Sequence, residues 1–235
     1  MAWGRAVAVA AAALVLAAGT TVPDRTAGDG WFEMTFDDKA PNHWTIGSDD
    51  AVEIRSEDSV SLLYRLVEVD LAATPCLTWQ WRVDTAPPAS DLARKGKDDR
   101  AVAVYVSFPF DPDNASLWET LKRPFVEAVR GSDAPGRVIS YVWGGIRDRG
   151  QTLVSPYLGA AGILKILRPV PEPHGEWVTE TVAVDRDYRA AFDAPAPNPI
   201  QIAVSADSDD TKSASHAWVR GIAFKACGAE QALKN

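Results

Sequence analysis

Apolar and polar residues alternate along most of this chain. In CLTWQWRV, residues 76–83, Leu77, Trp79, Trp81 and Val83 fall on one side of an extended backbone, and Thr78, Gln80 and Arg82 on the other. The same period of two sets Val102, Val104, Val106 and Phe108 against Ala101, Ala103, Tyr105 and Ser107. It also sets Ile200, Ile202 and Val204 against Gln201, Ala203 and Ser205. Further runs of this kind are WFEMTF, HWTIG, AVEIR, SVSLLYRLVEVDL, GRVISYVW, QTLVS, GILKIL, EWVTETVAV and HAWVRGIAF. Roughly a dozen short strands, separated by Pro, Gly and Asp clusters, predict an all-β fold: two packed antiparallel sheets in a jelly-roll-like β-sandwich.

One stretch breaks the pattern. In Asn114–Arg130, Leu117, Leu121, Phe125 and Val129 recur every four residues; Asn114 can cap the start, Gly131 can end it, and Pro124 must kink or divide it. This predicts a short helical insertion lying against the sandwich. A second helical turn is expected at Asp187–Phe192, and the segments APPASDLARKGKDD and RPVPEPHGE read as loops.

The amino terminus adds a compartment to this fold. Arg5 precedes an unbroken apolar run, Ala6–Ala18, that ends in small residues, which is the layout of a secretory signal peptide; its core is shorter than the roughly 20 residues that span a bilayer. An uncleaved anchor is the other reading of that run. Cleavage after Gly19 leaves 216 of the 235 residues and takes the formal charge from −8 to −9, because Arg5 is lost. The expected organisation is a signal peptide at 1–19, a linker at 20–30, one sandwich domain at 31–228 and a tail at 229–235, in a periplasmic or secreted protein with no transmembrane segment in its mature chain. The acidic balance argues against nucleic acid or anionic lipid as a partner. Cys76 and Cys227 each flank a predicted strand, and an oxidising compartment favours a disulfide between them over two buried thiols.

Candidate chemistry concentrates in two acidic segments. ADSDDTK, residues 206–212, is not an EF-hand loop: counting from Asp207, the sixth and twelfth positions hold Lys212 and Trp218 instead of Gly and a carboxylate. A looser calcium site of Asp207, Asp209 and Asp210, with the Thr211 hydroxyl and loop carbonyls, stays open beside a turn whose Asp side chains cap backbone N–H groups. No other cofactor is expected. In KGKDDR, residues 95–100, Asp98 and Asp99 point to opposite faces of an extended chain. They cannot form an acid–base pair with each other, but either can pair with Asp207 or Asp209 across the roughly 5–9.5 Å that glycosidic chemistry needs. The structural alternative is an ion pair with Arg82, a guanidinium on a sheet face that requires a partner.

Nine tryptophans supply the apolar half of a sugar-binding surface, since a pyranose has an apolar face and a polar rim. Trp79 and Trp81 alternate with Leu77 and Val83 and read as core. Trp143, ahead of Gly144-Gly145, and its neighbour Tyr141 are the candidates for a cleft. His43, His174 and His216 stand without a Ser or Cys motif nearby, and neither GxSxG nor HExxH occurs.

Several segments, in order, resemble an uncharacterised bacterial family, domain of unknown function 3047: SVSLLYRLVEVDLAATPCLTWQWRV, KGKDDRAVAVYVSF, ISYVWG, GEWVTETVAVDRDYRAAF and IQIAVSADSDDTKSASHAWVRGIAF. The resemblance implies an exported jelly-roll-like domain and no established activity. Carried over by position, it implies a common site of Arg82, Lys97, Asp98, Asp99, Tyr141, Trp143, Asp207, Asp209 and Thr211. The family pattern favours an Arg within the strand after the paired Asp; here Arg100 is expected nearer the loop. These readings favour a non-catalytic domain that binds a glycan or another small polar ligand. A polysaccharide hydrolase or lyase with paired Asp residues, and a structural envelope protein, are the alternatives.

Overall fold

The structure, a computed structural model, describes residues 25–28, 30–113, 115, 123, 134–170 and 175–228. The expected signal peptide, the tail, and all of the helical insertion except residues 115 and 123 lie outside these. Among the described residues, thirteen strands form two sheets. The larger sheet runs β1 (Arg25–Gly28), β2 (Trp31–Met34), β5 (Val60–Leu66), β12 (Gln201–Asp207), β7 (Arg100–Ser107), β8 (Val138–Trp143), β10 (Gly159–Arg168), β9 (Thr152–Ser155). The smaller runs β11 (Val178–Ala183), β6 (Cys76–Thr85), β13 (Ala214–Lys225), β4 (Val52–Glu57), β3 (His43–Ile46). The expected helical turn is α1 (Val184–Phe192).

Alternation does what the sequence predicts in β6, where Leu77, Trp79, Trp81 and Val83 are buried between the sheets and Thr78, Gln80 and Arg82 face outward. Every residue of β7 is buried, because this central strand is covered on both faces. Val102, Val104 and Val106 enter the core between the sheets. Ala103 and Tyr105 join a second apolar cluster, closed over the larger sheet by Leu92 of the preceding loop. A strand covered on both sides carries apolar residues at nearly every position, which is why AVAVYV is almost continuous.

Two features depart from the expected pattern. β1 was not evident as a strand in the sequence, and β8 and β10 pair in parallel, Ile163 opposite Ile139, although the other paired strands run antiparallel. The chain leaves β8, forms the edge strand β9, and returns as β10 between the two. The Cys76–Cys227 disulfide forms, its Cα atoms 5.1 Å apart, beside the last β6–β13 pair, Cys76 with Lys225. Ion pairs tie β10 of the larger sheet to β11 and α1: Arg168 Nε meets Glu180 of β11 at 2.7 Å, and Lys165 Nζ meets Asp187 of α1 at 2.5 Å.

Candidate functional site

Antiparallel pairing of β7 with β12 sets Arg100 opposite Asp207, so the two acidic segments meet at one end of the larger sheet. Asp98 and Asp99 are 3% and 1% exposed, and Asp207 6%. Arg100 Nη1 lies 3.3 Å from Asp98 Oδ2 and 3.0 Å from Asp207 Oδ2. The same guanidinium donates to the Tyr105 hydroxyl at 2.8 Å and to the Asp98 carbonyl at 2.8 Å. Burial works against the Arg100 charge, but Tyr105, Asp207 and Asp98 together outweigh it and hold the group cationic.

The turn after β12 is tied to the start of β7 by reciprocal capping. Asp99 accepts hydrogen bonds from the backbone N–H of Asp210 (3.1 Å) and of Thr211 (2.8 Å), and from the Thr211 hydroxyl. In return, Asp210 Oδ2 accepts from the Asp98 N–H at 3.1 Å. Asp209 pairs with Lys39. Tyr157, in the β9–β10 turn, donates its hydroxyl to Asp98 Oδ1 at 3.0 Å, and burial beside that carboxylate pushes the phenol up.

Burial also raises Asp98, against the opposing pull of Arg100. Asp207 is pushed up to about 7 by burial, with Arg100 opposing and the nearby Asp98, Asp99 and Asp210 reinforcing the rise. Asp207 Oδ1 is shut off from solvent and accepts no hydrogen bond among the described residues. One carboxylate oxygen from each of Asp99, Asp207 and Asp209 lies within 4.8 Å of the others. Asp210, expected with Asp207 and Asp209 around a possible calcium, is not in this group of three; its carboxylate caps the Asp98 N–H, and the third carboxylate close to Asp207 and Asp209 is that of Asp99.

Other expected members of the common site lie elsewhere. Tyr141 and Trp143 are core residues, 0% and 1% exposed, so neither offers a face to a ligand. Their rings pack on Trp79 and Trp81 of the facing sheet, at 5.6 and 5.5 Å between centroids, and the Tyr141 hydroxyl donates to Asp187 at 3.0 Å. Arg82 does not reach the acidic pair; its Nε donates to Asp84, two residues along its own strand, at 2.7 Å. Lys97 is exposed. The partner sought in Arg82 is Arg100, the first residue of β7, which the family pattern had pointed to and the sequence reading displaced toward the loop.

Sequence reasoning missed a second surface. On the outward side of the smaller sheet, Trp218 sits opposite Arg82 on β6 and Glu53 on β4, and Arg220 sits opposite Gln80, which faces Thr179. Arg82 lies 4.9 Å over the half-buried Trp218 ring, and Arg220 3.9 Å over that of Trp177. Arg220 Nε donates to Gln80 Oε1 at 3.0 Å, and Gln80 Nε2 to Thr179 Oγ1 at 3.1 Å. His216 and Glu53 share a 2.7 Å hydrogen bond that holds the Glu53 carboxyl below its usual range. A separate concavity of about 510 Å³, lined by Arg65, Glu68, Asp70 and Phe224 among others, includes none of the residues of the acidic cluster.

Fold and charged cluster together define a two-sheet β-sandwich with a buried ionic junction at one end. The chain belongs to the family of proteins of unknown function DUF3047, whose pattern matches residues 29–223. No curated protein matches it. Solved structures similar to it include a study of family 12 glycoside hydrolases and thermal stability (10% identity, TM-score 0.47, covering 86% of this chain and 96% of that one). Another is the xyloglucanase domain of NopAA from Sinorhizobium fredii, in complex with cellobiose (6% identity, TM-score 0.45, covering 85% and 96%). A third is the family 11 carbohydrate-binding module of Lic26A-Cel5E from Clostridium thermocellum (8% identity, TM-score 0.40, covering 88% and 93%).

Proposed function

We propose that this chain is a periplasmic or secreted, non-catalytic β-sandwich that binds a glycan on the outward face of its smaller sheet. The carrying observation is the pair of outward tryptophans, Trp177 and Trp218, set among Gln80, Arg82, Thr179 and Arg220 on paired strands. In this reading Arg82 and Arg220 move off the indoles when a sugar binds, so that indole faces meet the apolar side of its ring while the guanidinium groups and the Gln80 amide meet its hydroxyls. The buried carboxylates favour structure over acid–base chemistry: Asp98 and Asp207 share one guanidinium nitrogen, and Asp99 is committed to the turn. A polysaccharide cannot approach groups that are 1–6% exposed. The apolar run at residues 6–18 and the disulfide support export.

The test is a glycan array followed by calorimetry with soluble oligosaccharides. Trp218→Ala and Trp177→Ala should each weaken binding about tenfold, the equivalent of one lost stacking contact. Absence of binding across the panel, or binding indifferent to both substitutions, refutes this reading.

A further inference from the structure

We propose that Asp99, Asp207 and Asp209 form a calcium site that joins the start of β7 to the turn after β12. One oxygen from each carboxylate lies within 4.8 Å of the others. Calcium–oxygen bonds of about 2.3–2.6 Å accommodate ligand oxygens up to about 5 Å apart, whereas magnesium, at about 2.0–2.1 Å in near-ideal octahedral geometry, accommodates only about 4 Å.

A cluster of carboxylates alone does not make a site; the second observation is Asp207 Oδ1. Asp207 is 6% exposed, its Oδ2 is held by Arg100, and its Oδ1 has no hydrogen-bond donor among the described residues. A buried carboxylate oxygen without a partner is costly, and coordination to a cation removes that cost. The charge balance points the same way. Asp98, Asp99, Asp207, Asp209 and Asp210 converge on this junction, and the ion pairs made to them among the described residues come from Arg100 and Lys39. Arg100 is fixed within the sheet, but Lys39, 41% exposed, meets Asp209 from outside and can swing away. Its ammonium stands where a cation's charge is called for. Asp99 Oδ1 accepts one hydrogen bond and keeps a lone pair for a cation, Oδ2 accepts two, and waters and loop carbonyls complete a shell of about six to eight oxygens.

The experiment titrates the disulfide-bonded protein, first freed of metal with EDTA, with calcium chloride and separately with magnesium chloride in a calorimeter. The expected result is one calcium per chain, with a Kd of about 10⁻⁴–10⁻³ M as in extracellular modules, and at least about tenfold weaker magnesium binding. Asp209→Asn, on a partly exposed turn, should weaken calcium at least about tenfold while leaving the circular dichroism of the EDTA-treated protein unchanged. Lys39→Met should tighten calcium by removing the competing ammonium. No saturable calcium uptake up to about 10 mM overturns the site. So does equal affinity for the two metals, or uptake that both substitutions leave unchanged. Because the probe is the metal alone, the outcome is independent of whether the tryptophan face binds a glycan.

Discussion

Removing the Cys76–Cys227 bridge frees a loop of 151 residues in the unfolded chain. The loop-closure relation puts the resulting entropy change at about 5 kcal/mol at 25 °C, an upper figure that residual compactness of the unfolded ensemble reduces. The folded state has little to lose. Cys76 is fully buried and its strand stays paired with β13 through Lys225, so Cys76→Ala/Cys227→Ala leaves a small void and an intact ladder. We expect the double variant to lose about 3–5 kcal/mol, a large part of the roughly 5–15 kcal/mol available to a domain. The assay is urea unfolding at pH 7 of the oxidised protein and the double variant side by side. The variant's midpoint should fall and its m-value rise, because its unfolded chain exposes more surface. A difference below about 1 kcal/mol would refute the entropic reasoning, and two titratable thiols in unfolded, unreduced protein would refute the bridge itself.

Other consequences follow from the ionic junction. Arg100→Met strands Asp98 and Asp207 without their shared cation and should cost about 3–5 kcal/mol by urea unfolding. Adding Asp207→Asn should recover part of that loss; a double variant whose loss equals the sum of the single losses within about 0.5 kcal/mol would show that the two groups are not coupled. Gly144→Ala should destabilise by about 1–3 kcal/mol, read as a fall in melting temperature. Its Cβ would lie 2.9 Å from Arg100 Cβ and 3.0 Å from Arg100 Cα, and an unchanged melt would mean that β8 can move away from β7 freely.

Among the described residues, sequence patterning located twelve of the thirteen strands and α1, because in those segments one face meets the core and the other meets something different. β1, four residues with no apolar alternation in RTAG, carries no such signal. The parallel β8–β10 pair was also hidden: period two tells which face is buried but not which strand lies alongside. At the acidic junction, KGKDDR and ADSDDTK could be placed side by side in advance, since one precedes a strand and the other follows one. What they do to each other could not. Whether a carboxylate caps an N–H, as Asp99 and Asp210 do, or is buried with one oxygen lacking a donor among the described residues, as Asp207 Oδ1 is, depends on a turn geometry that composition does not encode. Tyr141 and Trp143 misled for a related reason. A Gly-Gly after a tryptophan suggests an opening, but here Gly144 lets β8 lie against Arg100, and the aromatic side chains stay inside.

The order of strands in the smaller sheet also bears on how the protein is made. β6 takes both its neighbours, β11 and β13, from residues beyond 177. On a growing chain, Leu77, Trp79, Trp81 and Val83 therefore emerge long before the strands that pair with β6. For that interval the most apolar strand of the smaller sheet is an unpaired edge, the kind of segment that self-associates or is bound by a holding chaperone. The smaller sheet cannot close until β13 has appeared, and its two cysteines cannot meet until Cys227 has.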